Sequence, residues 1–186
     1  MEMHRLAQDR GEGSSANDYV EVWKTIWGLP PVLKNFCWKV CNNLLPTKVN
    51  LHKKKIVDDP SCPFCKAEPK TFFHSLWGCP AAIPVWQEGG KRLQKMSCAL
   101  MDGIGLFLYL LEMLDSDELV EAWTVARMIW IRKNDFVFNG VFTPRIQIMA
   151  ATKISLEGFY TCKWQRRSFY QRQVNASIGV EKTHGW

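Results

Sequence analysis

Four residues with soft or borderline metal-ligating side chains fall within eighteen positions of this chain. They are Cys62 and Cys65 with two residues between them, His74 after eight more, and Cys79 after another four. A pair of cysteines spaced in this way forms a tight turn that aims both sulfurs at one point, and Pro63 suits that turn. The later histidine and cysteine must return from a second element to close the shell. The C-x2-C-x8-H-x4-C pattern therefore predicts one zinc ion, which takes four such ligands in a tetrahedron at roughly 2.0–2.3 Å. Four protein ligands leave no position for water, so the ion is expected to be structural, since a catalytic zinc keeps one position open. In model peptides such sites are worth about 10–16 kcal/mol, as much as a whole domain's stability of about 5–15 kcal/mol. The bland alternative, four unrelated buried residues, leaves the density of the cluster unexplained.

The chain has 7 cysteines. An odd count with no signal-like N-terminus argues for reduced thiols rather than a disulfide framework. Cys37 and Cys41 sit four apart on one helical face and could pair on a second metal. Their neighbours Phe36 and Val40 favour buried structural thiols instead. Cys98 and Cys162 have no partners nearby in sequence. His52 stands beside Lys53-Lys54-Lys55 and reads as a surface residue, and His4 and His184 lie near the chain ends.

At 186 residues with 47% apolar and 23% charged side chains, the composition is that of an ordinary globular protein. The longest apolar run, Leu106 to Leu111, is far short of the roughly 20 residues of a membrane span. Residues 1–17 carry acids and bases with no apolar core, so a soluble, intracellular chain is expected. The net charge of +6 is uneven. Residues 20–86 hold nine lysines against four acids, and residues 160–186 hold five bases against one acid. That asymmetry is compatible with an anionic partner such as nucleic acid, and equally with plain solubility.

The periodicity predicts a mainly α fold: a small helical domain with a CCHC zinc-binding loop, followed by a helical region. Residues 1–18 are expected to form a disordered lead-in. Val20, Trp23 and Trp27 mark a first short stripe, broken at Gly28-Leu29-Pro30-Pro31. Pro31 opens the next helix, whose face is Leu33, Phe36, Cys37, Val40 and Leu44, and which Pro46 should stop. Thr47 is the expected N-cap of a short helix through Leu51 and His52. Asp58-Asp59-Pro60-Ser61 reads as a turn into the cysteines. Ala82, Val85, Trp86 and Leu93 suggest another helix, and Leu100 to Leu114 a buried one. Asp115-Ser116-Asp117-Glu118 reads as an N-cap with favourable first-turn charge. Leu119, Trp123, Ala126 and Trp130 continue a helix expected to end near Asn134, before a short Phe136–Phe138 segment and a turn at Asn139-Gly140. Thr143-Pro144 should start a last long helix carrying Met149, Leu156 and Tyr160. The tail from 166 is basic and aperiodic, and is expected to be flexible.

The sequence contains no glycine-rich phosphate loop, no paired-acid motif suited to two metal ions, and no Gly-x-Ser-x-Gly elbow. It is expected not to be an enzyme. Taken together, Val22-Trp23, Ile26-Trp27, Lys34-Asn35-Phe36, Trp38-Lys39, Leu45-Pro46-Thr47 and Leu51 frame the Cys62, Cys65, His74, Cys79 set and Val85-Trp86. This order resembles the zinc-binding domain that follows the polymerase in plant LINE-type retrotransposon reverse transcriptases. Trp130 to Asn134, Val137-Phe138 and Thr143-Pro144 resemble the spacer after it. Lys70 departs from the acidic residue common there.

The resemblance implies a reverse-transcriptase-type zinc domain over 19–97, a helical spacer over 98–165, and a basic tail over 166–186. In that family a polymerase precedes and a ribonuclease-H-like domain often follows, and the chain reads as a fragment of such a protein. The resemblance also implies nucleic-acid binding, RNA or DNA, with Lys48, Lys53, Lys54, Lys55, Lys66 and Lys70 contacting phosphates. Phe64 or Phe72 could stack on bases, although packing around the metal is the commoner role for such rings. The alternative is a structural or protein-interaction remnant, with Leu106 to Leu111 as an apolar surface for a protein partner.

Overall fold

The computed structural model describes residues 16–89 and 102–161. Among them the fold is helical, with one isolated antiparallel bridge between Ser61 and Pro69. The expected positions Leu93, Cys98 and Cys162, both histidines near the ends, the lead-in up to residue 15 and the basic tail lie outside the described residues.

Helix α1, Ala16–Gly28, docks through Val22 and Ile26, four apart on one face and both buried, with Leu29 just beyond the helix. The expected stripe of Val20, Trp23 and Trp27 is not the buried one. Val20 and Trp27 are exposed, and Trp23 is half-buried. The smaller branched side chains allow close approach, while the large indole of Trp27 lies under the Lys34 ammonium, 5.5 Å from its centroid.

Helix α2, Pro31–Cys41, opens on its proline and buries Leu33, Phe36, Cys37, Val40 and Cys41. It ends well before Pro46, because Asn43 takes a left-handed conformation (φ 52°) that the helix cannot contain. Leu44 is consequently exposed. The Asn50 amide holds the turn by donating to the Asn43 and Leu45 carbonyl oxygens at 2.8 and 2.9 Å. Helix α3, Lys48–Lys53, is capped by Thr47, whose hydroxyl accepts from the Asn50 N–H at 3.2 Å.

After an irregular stretch comes a π-helical turn, His74–Gly78, and the short helix α4, Ile83–Trp86. Helix α5, Gly103–Met113, starts on an Asp102 cap. Its first residue lies so close to the end of α2 that a Cβ at Gly103 would run into the Val40 carbonyl oxygen. Helix α6, Ser116–Asn139, has a complete capping box: Asp115 accepts from the Glu118 N–H while the Glu118 carboxylate accepts from the Asp115 N–H. It runs past Asn134 to Asn139, so Phe136 to Phe138 form its last turn and not a separate segment. Gly140 ends it with φ 68°, a conformation that only glycine adopts without penalty. Residues 145–161 form a last helix, α7.

One core joins these elements. At its centre is Trp123 of α6, fully buried, stacked on Phe107 at 5.2 Å and meeting Phe36 and Trp77 edge-on at 6.3 and 6.0 Å. Trp77 in turn stacks on Trp86 at 5.2 Å, and the Trp86 indole donates to the Leu76 carbonyl oxygen. The aromatic chain thus leads from α6 directly into the segment carrying the cysteines. Leu106, Phe107 and Leu110 are fully buried in this core, while Leu108, Tyr109 and Leu111 are half-buried.

Candidate metal centre

The first half of the centre is a loop pinched shut by the Ser61–Pro69 bridge. The Cys62 N–H donates to the Glu68 carbonyl oxygen and the Lys70 N–H to that of Pro60, both at 2.8 Å. Inside the pinch the chain reverses tightly. The Lys66 N–H donates to the Cys62 carbonyl oxygen at 2.8 Å, and Lys66 itself is left-handed (φ 56°). Ahead of the loop, Asp59 accepts from the Ser61 N–H at 2.9 Å, the turn expected from its sequence.

The second half is the π turn. In an α-helix, residues five apart point about 140° away from each other. Here the Cys79 N–H donates to the His74 carbonyl oxygen at 2.9 Å, an i→i+5 bond that widens the turn and returns Cys79 to the side of His74. Thr71 anchors its start, its hydroxyl accepting from the His74 N–H at 3.0 Å.

These two halves bring the four ligand atoms together, all within 4.8 Å of one another. Cys62 Sγ and Cys79 Sγ are 3.8 Å apart, and Cys65 Sγ and His74 Nε2 are 3.4 Å apart. A zinc tetrahedron with bonds of roughly 2.0–2.3 Å has edges of about 3.8 Å between two sulfurs and about 3.6 Å between sulfur and nitrogen. The two opposite edges seen here match those lengths. A disulfide would need an S–S distance of about 2.05 Å, and all described cysteines are free. The donor set fits Zn2+ in both chemistry and size.

The surroundings prepare the donors unequally. Burial pushes the Cys62 thiol up, opposed by the backbone N–H groups of Cys65 and Phe64 and by the charge of Lys133. The Cys65 thiol is drawn below its ordinary value, first by the Ala67 N–H and then by that of Glu68. Burial lowers His74, and the Lys133 charge lowers it further, which favours the neutral imidazole a metal requires. Cys37 and Cys41 behave differently. Burial raises Cys37 well above its ordinary range and Cys41 to about 12, so both remain packed thiols.

The six lysines expected at phosphates divide. Lys53, Lys54, Lys55 and Lys66 are exposed, whereas Lys48 is half-buried and pairs with Asp59 at 3.4 Å. Lys70 does not reach the surface. It is 4% exposed with its ammonium 5.5 Å from the centroid of Trp130, and burial lowers its pKa. Its position beside the bridge turns the side chain inward under the zinc loop. Phe72 is buried, and Phe64 packs on Phe136 and Phe142 at 4.8 and 5.8 Å, so the two rings pack against the protein.

Lys133, on α6, was not singled out by sequence, yet it is 1% exposed beside the loop. Its spacing carried the signal: Trp123, Ala126, Trp130 and Lys133 lie on one helical stripe, and the first three are plainly apolar. Arg132 next to it ties three segments together. Its guanidinium donates to the Thr143 and Ala81 carbonyl oxygens at 2.6 and 3.1 Å and lies 3.8 Å from the centre of the Phe142 ring.

Residues 8–86 match the family model described as zinc-binding in reverse transcriptase. All four ligands fall inside that segment, and the match supports a reverse-transcriptase-type zinc-binding domain there. No curated protein and no solved structure matches the chain.

Proposed function

We propose that the chain is a zinc-stabilised nucleic-acid-binding module derived from a retrotransposon reverse transcriptase, of the plant LINE type, with one structural zinc and no catalysis of its own. The observation that carries this reading is the four-ligand cluster within a segment matching zinc-binding domains of reverse transcriptases. Lys53, Lys54 and Lys55 supply an exposed cationic run at the end of α3, and Lys66 adds a charge from the loop itself. Four protein ligands would fill a zinc shell, which supports a structural metal, and the exposed lysines support contact with a polyanion.

Each phosphate neutralised releases counterions, with a salt slope of about −0.7 per contact on single strands. Four contacts give a slope near −3, or about a 50-fold loss of affinity between 50 and 200 mM salt. Titrating labelled single-stranded RNA and DNA against the zinc-loaded chain at those two concentrations tests this. Changing Lys53, Lys54 and Lys55 together to Gln should reduce the slope by about 2, whereas Lys70→Gln should leave it unchanged. Binding that ignores both salt and the triple variant would sink the proposal.

A second reading, a structural or protein-interaction remnant, draws on a different surface from the one the sequence pointed to. Phe138 is 79% exposed, Ile146 72% and Ile154 69%, all near the end of α6 or on α7. One zinc per chain with no affinity for either polymer would favour it.

A further inference from the structure

Lys133 is an expensive residue as it stands. Its ammonium is buried and has no hydrogen-bond partner among the described residues. Taking an ammonium out of water without a partner costs several kcal/mol, so a fold that retains one supplies its opposite charge elsewhere. Its ammonium lies over the ring of Phe64, 5.2 Å from Nζ, and Phe64 lies between Cys62 and Cys65 in the metal loop. Lys70 is also buried, with its ammonium 5.5 Å from the centroid of Trp130 and its backbone N–H closing the bridge of the same loop.

Metal ligands of this set bind as three thiolates and a neutral imidazole. With Zn2+ in place the centre retains a single net negative charge inside the protein. We infer that Lys133 is the counter-charge of the metal centre, with Lys70 as its second cation, so that α6 completes electrostatically a site whose ligands all lie between residues 62 and 79. The inference rests on reading the four residues as a zinc site. It adds that the site is not self-contained in the segment that holds its ligands. Partners of this kind around metal ligands typically change metal affinity by about 10–100-fold.

The test uses the whole chain and zinc alone. Zinc affinity is measured by competition with a chromophoric chelator, and the thermal midpoint of the zinc-free chain is measured separately. Lys133→Met keeps the stem and removes the charge. It should weaken zinc at least tenfold while leaving the zinc-free midpoint unchanged or higher, because an unpartnered buried charge has gone. Lys133→Arg should restore most of the affinity. A mere packing role predicts that both readouts fall together with no rescue by Arg, and that result overturns the inference, as does unchanged affinity in Lys133→Met. Should that variant fail to fold, Lys70→Met provides the same pair of readouts, with the same opposed signs expected. Wild-type chain that binds no zinc would overturn the zinc reading itself, which keeps the two failures distinct.

Discussion

The loop of residues 60–79 and helix α6 are neighbours held together by opposite means. The loop has one bridge, one tight reversal and a π turn, and its closest side-chain convergence is the four-ligand cluster. Helix α6 has 24 residues, a capping box at one end, a left-handed glycine at the other, and an almost unbroken buried face from Leu119 to Ile129. The helix satisfies its own backbone and buries its own stripe, so it needs only something apolar to lie against. The loop closes its backbone in places and buries Leu76 and Trp77, but its centre is a set of four ligand atoms that fit an ion. What joins them is the chain of rings from Trp123 through Trp77 to Trp86. Metal-dependent order and packing-dependent order therefore meet along one wall.

The contrast is broken most forcefully by taking away the metal. Chelation, or Cys79→Ser, should release on the order of 10 kcal/mol of binding free energy. Hydrogen exchange should then show residues 60–79 opening while the middle of α6 stays protected. Equal loss of protection in both would mean that the regions are not distinct in the way described. Next in size is Trp123→Ala, which should cost about 3–5 kcal/mol in a denaturant midpoint because it empties the junction between Phe36, Phe107 and Trp77. This variant should lower zinc-loaded and zinc-free stability alike.

Gly103→Ala tests packing away from the metal. Its methyl would meet the backbone at Val40 and Cys41, and overpacking of this kind costs about 1–3 kcal/mol. Zinc stoichiometry should stay at that of the wild type, and a loss of bound metal would show that the α2–α5 contact also supports the loop. The smallest effect is that of Asp115→Ala, about 1 kcal/mol from loss of the α6 cap, read as a lower thermal midpoint with zinc affinity unchanged.

Which features were legible follows from how local their causes are. The ligand set, the Thr47 and Asp115 caps, Pro31 at a helix start and Gly140 at a helix end are each decided within a few residues, and each was readable. The buried face of α1 was not, because Val22 and Trp27 compete for the core only once α2 and α5 are beside them. The early end of α2 depends on Asn43 and on an amide from Asn50 seven residues on, and not on Pro46, the expected stop. Lys70 looked like one more surface cation in a basic segment, and only the bridge shows that it is turned inward. Lys133 was visible in principle, since a lysine on an apolar stripe is an anomaly, but its reason lies in a loop more than fifty residues earlier.

The π turn also makes the stretch from His74 to Cys79 a spacer with one residue beyond the α-helical phase. A Cβ at Gly78 would meet only Phe73 and His74 at 3.7–3.9 Å, ordinary contact, so Gly78→Ala should still bind zinc. Deleting Gly78 instead lets the segment close as an ordinary α-turn with Cys79 about 40° from His74, whereas one residue more would leave it about 120° away in an α-helix. The motif can therefore drift in composition at that position, and it loses a residue there more readily than it gains one.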